Sequence, residues 1–258
     1  MRTHEVVLHR IEQDLAAGKL TVGGRLPAER ALAEELGVGR SSVREAMRVL
    51  EAMGIVRTAV GSGPDAGAIV AADPAASIGA AIRLHMATRT LPIHDVVQTR
   101  TLLESWAVQE AAGQAPDLDF SAIDTLLDAM DDEDLSPEAF HRLDADLHVA
   151  MAGLAGNVLV EAMMVSLRDS IHGYVMQAVP LLDDWPAVAT HLRCEHRGIV
   201  AALRDGHGAE AAGLVREHIE GFYGRFAPVR ARGVSGLVNR SRGGTPPGSA
   251  PRRLRGRS

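Results

Sequence analysis

Four side chains in the C-terminal half have the types and spacing of a metal-binding set. Across 141–148 the chain reads HRLDADLH, which puts Asp144 and His148 four residues apart. On a helix that interval places both on one face. The stretch CEHRGIVAALRDGHGAEAAGLVREHIEGF then offers His196 on one expected helix and His218 on the next. One carboxylate and three imidazoles converging inside a bundle suit a divalent transition metal such as zinc, nickel or manganese, with coordination positions left open for water or a ligand. The plainer alternative is that these are ordinary helix-face residues, since the chain has 11 histidines and spacing alone does not single out three. Open positions on such a metal could also activate water in an enzyme. Against that, no general base beyond the ligands themselves is evident.

A second constellation lies near the N-terminus. The run LPAERALAEELGVGRSSVREAMRVLEAMGIV reads as a short helix starting at Pro27, a tight turn at Gly37-Val38-Gly39, and a second helix reaching Met53-Gly54. That is helix-turn-helix spacing, in which the second helix enters the DNA major groove. Val43, Ala46, Met47 and Leu50 form its expected buried stripe, which turns Arg40, Ser41, Arg44 and Arg48 outward. Arginine forks there can pair bidentately with guanine or brace phosphates. Arginines alone would suit any solvated helix face; the turn spacing and the hairpin behind it favour DNA.

These sites need elements to carry them. Ahead of the run, Val7, Leu8, Ile11 and Leu15 recur at helical spacing. Behind it, Ile55–Val60 and Ala68–Val70 are β-prone segments flanking GSGPDAG, an expected hairpin. From 74 to about 226 the chain is rich in Ala and Leu, with turn signals every 15 to 25 residues. That pattern predicts a bundle with helices near 76–87, 93–113, 119–132, 136–153, 157–178, 185–205 and 208–226. The fold class is thus mainly α: a winged helix-turn-helix with a small β-hairpin over 1–73, and an all-α antiparallel bundle over 74–227. Residues 228–258, rich in Gly, Pro, Ser and Arg, read as a disordered tail.

Charge follows the same division. The net charge of −6 hides nine basic and nine acidic residues in 1–72, ten basic and 24 acidic in 73–227, and eight arginines with no acid in 228–258. The acidic middle would be repelled by phosphate, so DNA contact belongs to the N-terminal segment, with the tail either adding non-specific affinity or forming a solvated extension. No apolar run reaches membrane-spanning length and the N-terminus lacks a signal-peptide pattern, so a cytoplasmic, nucleoid-associated protein is expected. One cysteine, Cys194, rules out an internal disulfide framework and is expected to pack.

The chain resembles the GntR family of bacterial regulators, in the FadR-like branch with the helical FCD ligand domain. The resemblance is carried by GRLPAERALAEELGVGRSSVREAMRVLEAMGIV and by the Asp144, His148, His196 and His218 pattern with Gly156-Asn157 between. It implies DNA contacts from Arg30, Arg40 and Arg44, and approach of Gly61 or Gly63 of the wing to the minor groove. It also implies that the four ligand candidates hold a metal and that Arg100, in QTRTLLESWAVQEAA, meets a ligand carboxylate. The residues themselves allow Arg100 to be simply an i,i+4 ion pair with Glu104. Two departures stand out: Gly39 replaces the usual Ser or Thr cap of the recognition helix, and the wing is long and carries Asp65.

The resulting expectation is not an enzyme but a homodimeric repressor, binding a palindromic operator in double-stranded DNA and responding to a small carboxylate effector. A purely structural metal and a metal-free acyl-CoA pocket are the competing readings.

Overall fold

The computed structural model describes residues 2–59, 67–71, 73–179 and 184–225, without the side chains of 58, 59, 67 and 178. Gly61, Gly63 and Asp65 of the expected wing, and the basic segment 228–258, lie outside the described residues.

The N-terminal head contains α1 (Thr3–Ala16), α2 (Glu29–Leu36), α3 (Arg40–Ala52), β1 (Val56–Ala59) and β2 (Gly67–Val70). Its core is small and aliphatic: Val7, Ile11, Leu32, Val43, Leu50 and Val70 are all buried. The expected α3 stripe is the buried one, with Val43, Ala46, Met47 and Leu50 inside. Gly37 ends α2 in the left-handed region at φ 62°, which glycine adopts without a Cβ penalty. Gly39 stands at the N-cap of α3 with no side-chain cap hydrogen bond.

The strands pair antiparallel, Val56 opposite Val70 and Arg57 opposite Ile69. A third extended segment joins them. Gly23 N donates to Val70 O at 2.9 Å, Val70 N to Gly24 O at 2.9 Å and Leu26 N to Ala68 O at 2.9 Å. This segment moves the start of α2 from the expected Pro27 to Glu29, with Ala28 as N-cap. The chain up to Leu26 is committed to β2, so it must stay extended through Pro27 before it can coil.

The remainder is a helical bundle: α4 (Pro74–Ala87), α5 (Ile93–Ala112), α6 (Ser121–Met130), α7 (Pro137–Gly153), α8 (Val158–Ala178), α9 (Trp185–Arg204) and α10 (Gly208–Gly224). A short 3-10 turn, Ala115–Asp117, precedes α6, which is shorter at both ends than the expected 119–132; at its start Asp119 Oδ1 accepts from Ser121 N at 2.9 Å. The starts of these helices are set by local chemistry. Ser136 Oγ accepts from Ala139 N to cap α7, Asn157 Oδ1 accepts from Leu159 N and Val160 N to cap α8, and Asp184 caps α9.

Helix α5 runs through the bundle, packed against α7, α8, α9 and α10. Its inner face carries Ala107, Val108 and Ala111, all fully buried. These small side chains let α10 approach so closely that a Cβ on Gly208 would sit 2.8 Å from Gln109 O. Cys194 is exposed rather than packed. The buried stripe of α9 runs through Leu192, His196, Ile199 and Leu203, and Cys194 falls on the opposite side of the helix.

Candidate metal centre and DNA-reading face

Each of the four metal-ligand candidates occupies a position where helical periodicity calls for an apolar residue. Asp144 and His148 lie on the inner face of α7 between Phe140 and Met151, His196 between Leu192 and Ile199 of α9, and His218 between Val215 and Ile219 of α10. The bundle therefore brings three helices' polar groups into its core. Asp144, His148, His196 and His218 are 8, 1, 0 and 4 % exposed. One ligand atom from each lies within 4.8 Å of all the others.

Burying four such groups is costly unless each finds a partner. Asp144 Oδ1 lies 3.0 Å from His196 Nε2 and 3.8 Å from His148 Nε2. The Nε2 atoms of His148 and His218 are 3.1 Å apart, and those of His196 and His218 are 3.2 Å apart. On the far side of the rings, His148 Nδ1 meets Glu104 Oε1, and His218 Nδ1 lies 2.9 Å from Glu195 Oε2. An ionised carboxylate only accepts, so both Nδ1 atoms carry the proton and both Nε2 atoms present lone pairs.

Two lone pairs facing each other at 3.1 Å form no hydrogen bond; a cation between them turns the repulsion into two bonds. Carboxylates behind imidazole ligands fix the tautomer and raise the ligand's basicity. The donor set thus suits a divalent transition metal on chemical grounds.

The electrostatics point the same way. Burial pulls His148 down to about 4 despite Glu104 beside it, and burial likewise lowers His196, so both rings are neutral ligands near pH 7. Burial would raise Asp144, but hydrogen bonds with His141 and His196 and the surrounding imidazoles hold it well below the usual carboxylate range. Glu104, fully buried, is opposed by desolvation and held down by His148 and Arg100. Among the described residues, His196 Nδ1 is the buried side-chain polar atom without a hydrogen-bond partner.

Arg100 makes the i,i+4 ion pair that its spacing from Glu104 allows. Its Nε donates to Glu104 Oε2 at 3.2 Å and its Nη1 to the Tyr223 hydroxyl at 3.5 Å. It also lines a cavity shared with His148 and His141. That cavity is about 10 Å³, enough for little more than a water molecule. His141 is buried, its Nδ1 lies 3.5 Å from Asp144 Oδ2, and it stacks on His172.

Sequence reasoning overlooked Glu195 and Tyr223, and treated Glu104 only as the partner of Arg100. A signal for Glu104 existed. It sits on the apolar stripe of α5 with Val97, Val108 and Ala111, where an acid demands a buried partner. Glu195 and Tyr223 carried no such mark, because their roles depend on how α9 and α10 are apposed.

On the head, Arg30, Arg40, Ser41, Arg44 and Arg48 are all exposed. Arg44 Nε donates to Glu29 Oε2 at 3.1 Å, and Arg30 lies 3.8 Å from Glu34. Gly61 and Gly63 cannot be placed, as they fall outside the described residues.

Head and bundle together define a class: DNA-binding regulators with a helical C-terminal module. Residues 3–64 match the bacterial regulatory proteins of the gntR family, and residues 95–221 match the FCD domain. The chain is 31% identical over 241 residues to the transcriptional repressor NanR of Edwardsiella tarda, covering 90% of this chain and 88% of that one. It is 28% identical over 223 residues to the Glc operon transcriptional activator of Escherichia coli K12, covering 83% and 85%. It is 26% identical over 203 residues to the transcriptional regulator LutR of Bacillus subtilis, covering 78% and 91%. The fold is also that of a GntR protein from Streptococcus agalactiae, with a TM-score of 0.55 at 21% identity over 86% of this chain and 98% of that one. The chain belongs to the GntR family of transcriptional regulators and carries an FCD domain. Among the described residues, no helix is long and apolar enough to cross a membrane.

Proposed function

We propose that this chain is a metal-containing repressor whose affinity for DNA is controlled by a small organic acid. The observation that carries the reading is the facing pair of Nε2 lone pairs on His148 and His218, beside Asp144 and His196 and next to a cavity lined by Arg100. Asp144, His148, His196 and His218 would hold the metal, zinc, nickel or manganese by donor type. When bound, the metal supplies a concentrated positive charge that attracts a carboxylate. Arg100, oriented by Glu104 and Tyr223, offers that carboxylate a charge-assisted fork.

Residues 1–73 form the DNA-binding unit and 74–227 the effector-binding and dimerisation unit of a cytoplasmic, nucleoid-associated protein in the FadR-like branch. Arg30, Arg40, Ser41, Arg44 and Arg48 contact DNA, with Gly61 and Gly63 of the wing at the minor groove. Two chains bind a palindromic operator, because a two-fold protein matches two half-sites.

Coupling runs through α8, which lines the cavity with Met164 and Ile171 and grips α4 from its other side. Ser166 Oγ donates to Ala75 O at 2.9 Å, and α4 follows directly on the head. A ligand that widens the cavity displaces α8, and with it the helix leading to the DNA-reading unit. For this to regulate, the acid must bind the DNA-free arrangement more tightly than the DNA-bound one.

The test has two parts. Elemental analysis of purified protein is expected to give about one transition metal per chain, lost in His148→Ala. An operator selected from random-sequence DNA is then titrated, followed by fluorescence anisotropy, with and without a panel of small carboxylic acids; at least one acid should weaken binding. Wild type without metal after supplementation would overturn the ligand assignment. Metal present with every acid inert would favour a structural metal, a reading supported by how tightly the cavity is closed.

A further inference from the structure

Two arginines from different helices line the cavity, and they are held in opposite ways. Arg100 of α5 is paired with Glu104, whose side chain is fully buried, so that pair is fixed. Arg168 of α8 is 31% exposed and paired with carboxylates that reach solvent: Asp146 of α7 at 2.7 Å, 41% exposed, and its neighbour Asp169 at 3.0 Å, 45% exposed. The bond to Asp146 spans the α7–α8 boundary at which the cavity lies.

We infer that Arg168 is a second carboxylate-binding group of this cavity, and that the effector is a small dicarboxylate. The inference rests on the proposed sensing of a small acid at the metal and Arg100. A cavity of about 10 Å³ admits an organic acid only if α7 and α8 part, and the Arg168–Asp146 pair ties those two helices together. A monocarboxylate bound at Arg100 must break that tie and leave Arg168 with less than it had. A second carboxylate on the ligand takes the place of Asp146, exchanging one charge-assisted hydrogen bond for another, while the released Asp146 regains its hydration. Beside the arginines and the edges of His141 and His148, the lining is the apolar set Ala145, Val149, Met164 and Ile171, which suits a short hydrocarbon spacer between two charged groups.

Isothermal titration of the metal-loaded, full-length protein with matched pairs, succinate against butyrate and malate against lactate, tests this. The dicarboxylate of each pair is expected to bind about tenfold or more tightly, the worth of one charge-assisted bond. Arg168→Gln should erase that preference by weakening the dicarboxylate and, with no tie to Asp146 left to break, tightening the monocarboxylate. Should Arg168→Gln fold poorly, Asp146→Asn serves instead: cutting the tie is expected to tighten binding of succinate. Equal affinities within each pair for wild type, equal losses for both acids in Arg168→Gln, or weaker succinate binding in Asp146→Asn would overturn the dicarboxylate assignment while leaving small-acid sensing intact. Failure of all four acids to bind, with other acids also inert on the operator, would overturn both.

Discussion

The head and the bundle solve opposite problems with the same residue types. On the head, the arginines proposed to address DNA lie in solvent against carboxylates that are themselves exposed, as in Arg44 with Glu29 and Arg30 with Glu34. Such pairs contribute little and exchange readily, so a phosphate or a guanine edge can replace the carboxylate. In the bundle, Arg100 sits on a carboxylate that is fully buried, and two of the three imidazoles have a carboxylate behind them. There the partners are fixed, because an unpaired charge in a dry core costs far more than one in water. The proposed recognition surface is left free to adapt to a partner, whereas the buried cluster of the bundle is organised in advance.

The largest expected break in this contrast comes from Glu104→Leu. It strips Arg100 of its buried counter-ion and His148 of its acceptor at once. The metal-free protein should lose about 3–5 kcal/mol in urea unfolding of the bundle, the usual cost of orphaning a buried charge. Glu29→Leu on the head, by contrast, should leave stability nearly unchanged. A loss below about 1 kcal/mol for Glu104→Leu would mean that the buried network relaxes as easily as the exposed one.

Acid sharpens the same contrast. His148 has its folded value lowered to about 4, so between the ordinary histidine value near 6.5 and 4 the unfolded chain takes up a proton that the folded one refuses. Stability of the metal-free bundle should therefore fall as pH drops through that window. The lowered Asp144 and Glu104 continue the loss below the usual carboxylate range. Urea midpoints at pH 7, 6, 5 and 4 would show this, and a flat profile down to pH 5 would contradict it. A smaller effect is expected of Glu195→Gln, which removes the carboxylate behind His218 and should weaken metal affinity by about 10–100-fold in a chelator competition, with little change in stability.

How much of this was legible in the sequence follows from the same difference. The faces of the head were readable from periodicity: once Val43, Met47 and Leu50 are assigned inward, Arg40, Arg44 and Arg48 must point out. Its start at Pro27 was misread because the strand-like pairing of 23–26 with β2 is tertiary, and nothing local to Pro27 announces it. The four ligand candidates were readable as types at plausible spacing, yet spacing could not distinguish them from surface histidines; the resemblance supplied that weight. Glu195 and Tyr223 were not readable at all. Both acquire their partners only when α9 and α10 close on α5 and α7, and half-burial leaves no periodic mark. The Cys194 expectation failed for a related reason, since a small apolar residue is as compatible with one side of an amphipathic helix as with the other.

The smallest expected effects lie on the head, and they test whether its ion pairs are placeholders. Arg44→Ala should weaken binding to the selected operator by about 1–3 kcal/mol if the guanidinium reads a base, and the loss should shrink on operators altered at the contacted position. If it braces a phosphate instead, the loss will be uniform across sequences and the salt slope will drop by about one. Glu29→Gln frees Arg44 from its partner without removing it. A placeholder carboxylate should then be a weak competitor of DNA, and affinity should rise about twofold at low salt and by less as salt screens the pair. A fall in affinity would show the reverse: that Glu29 holds Arg44 in its reading position, and that the head, like the bundle, is organised before its partner arrives.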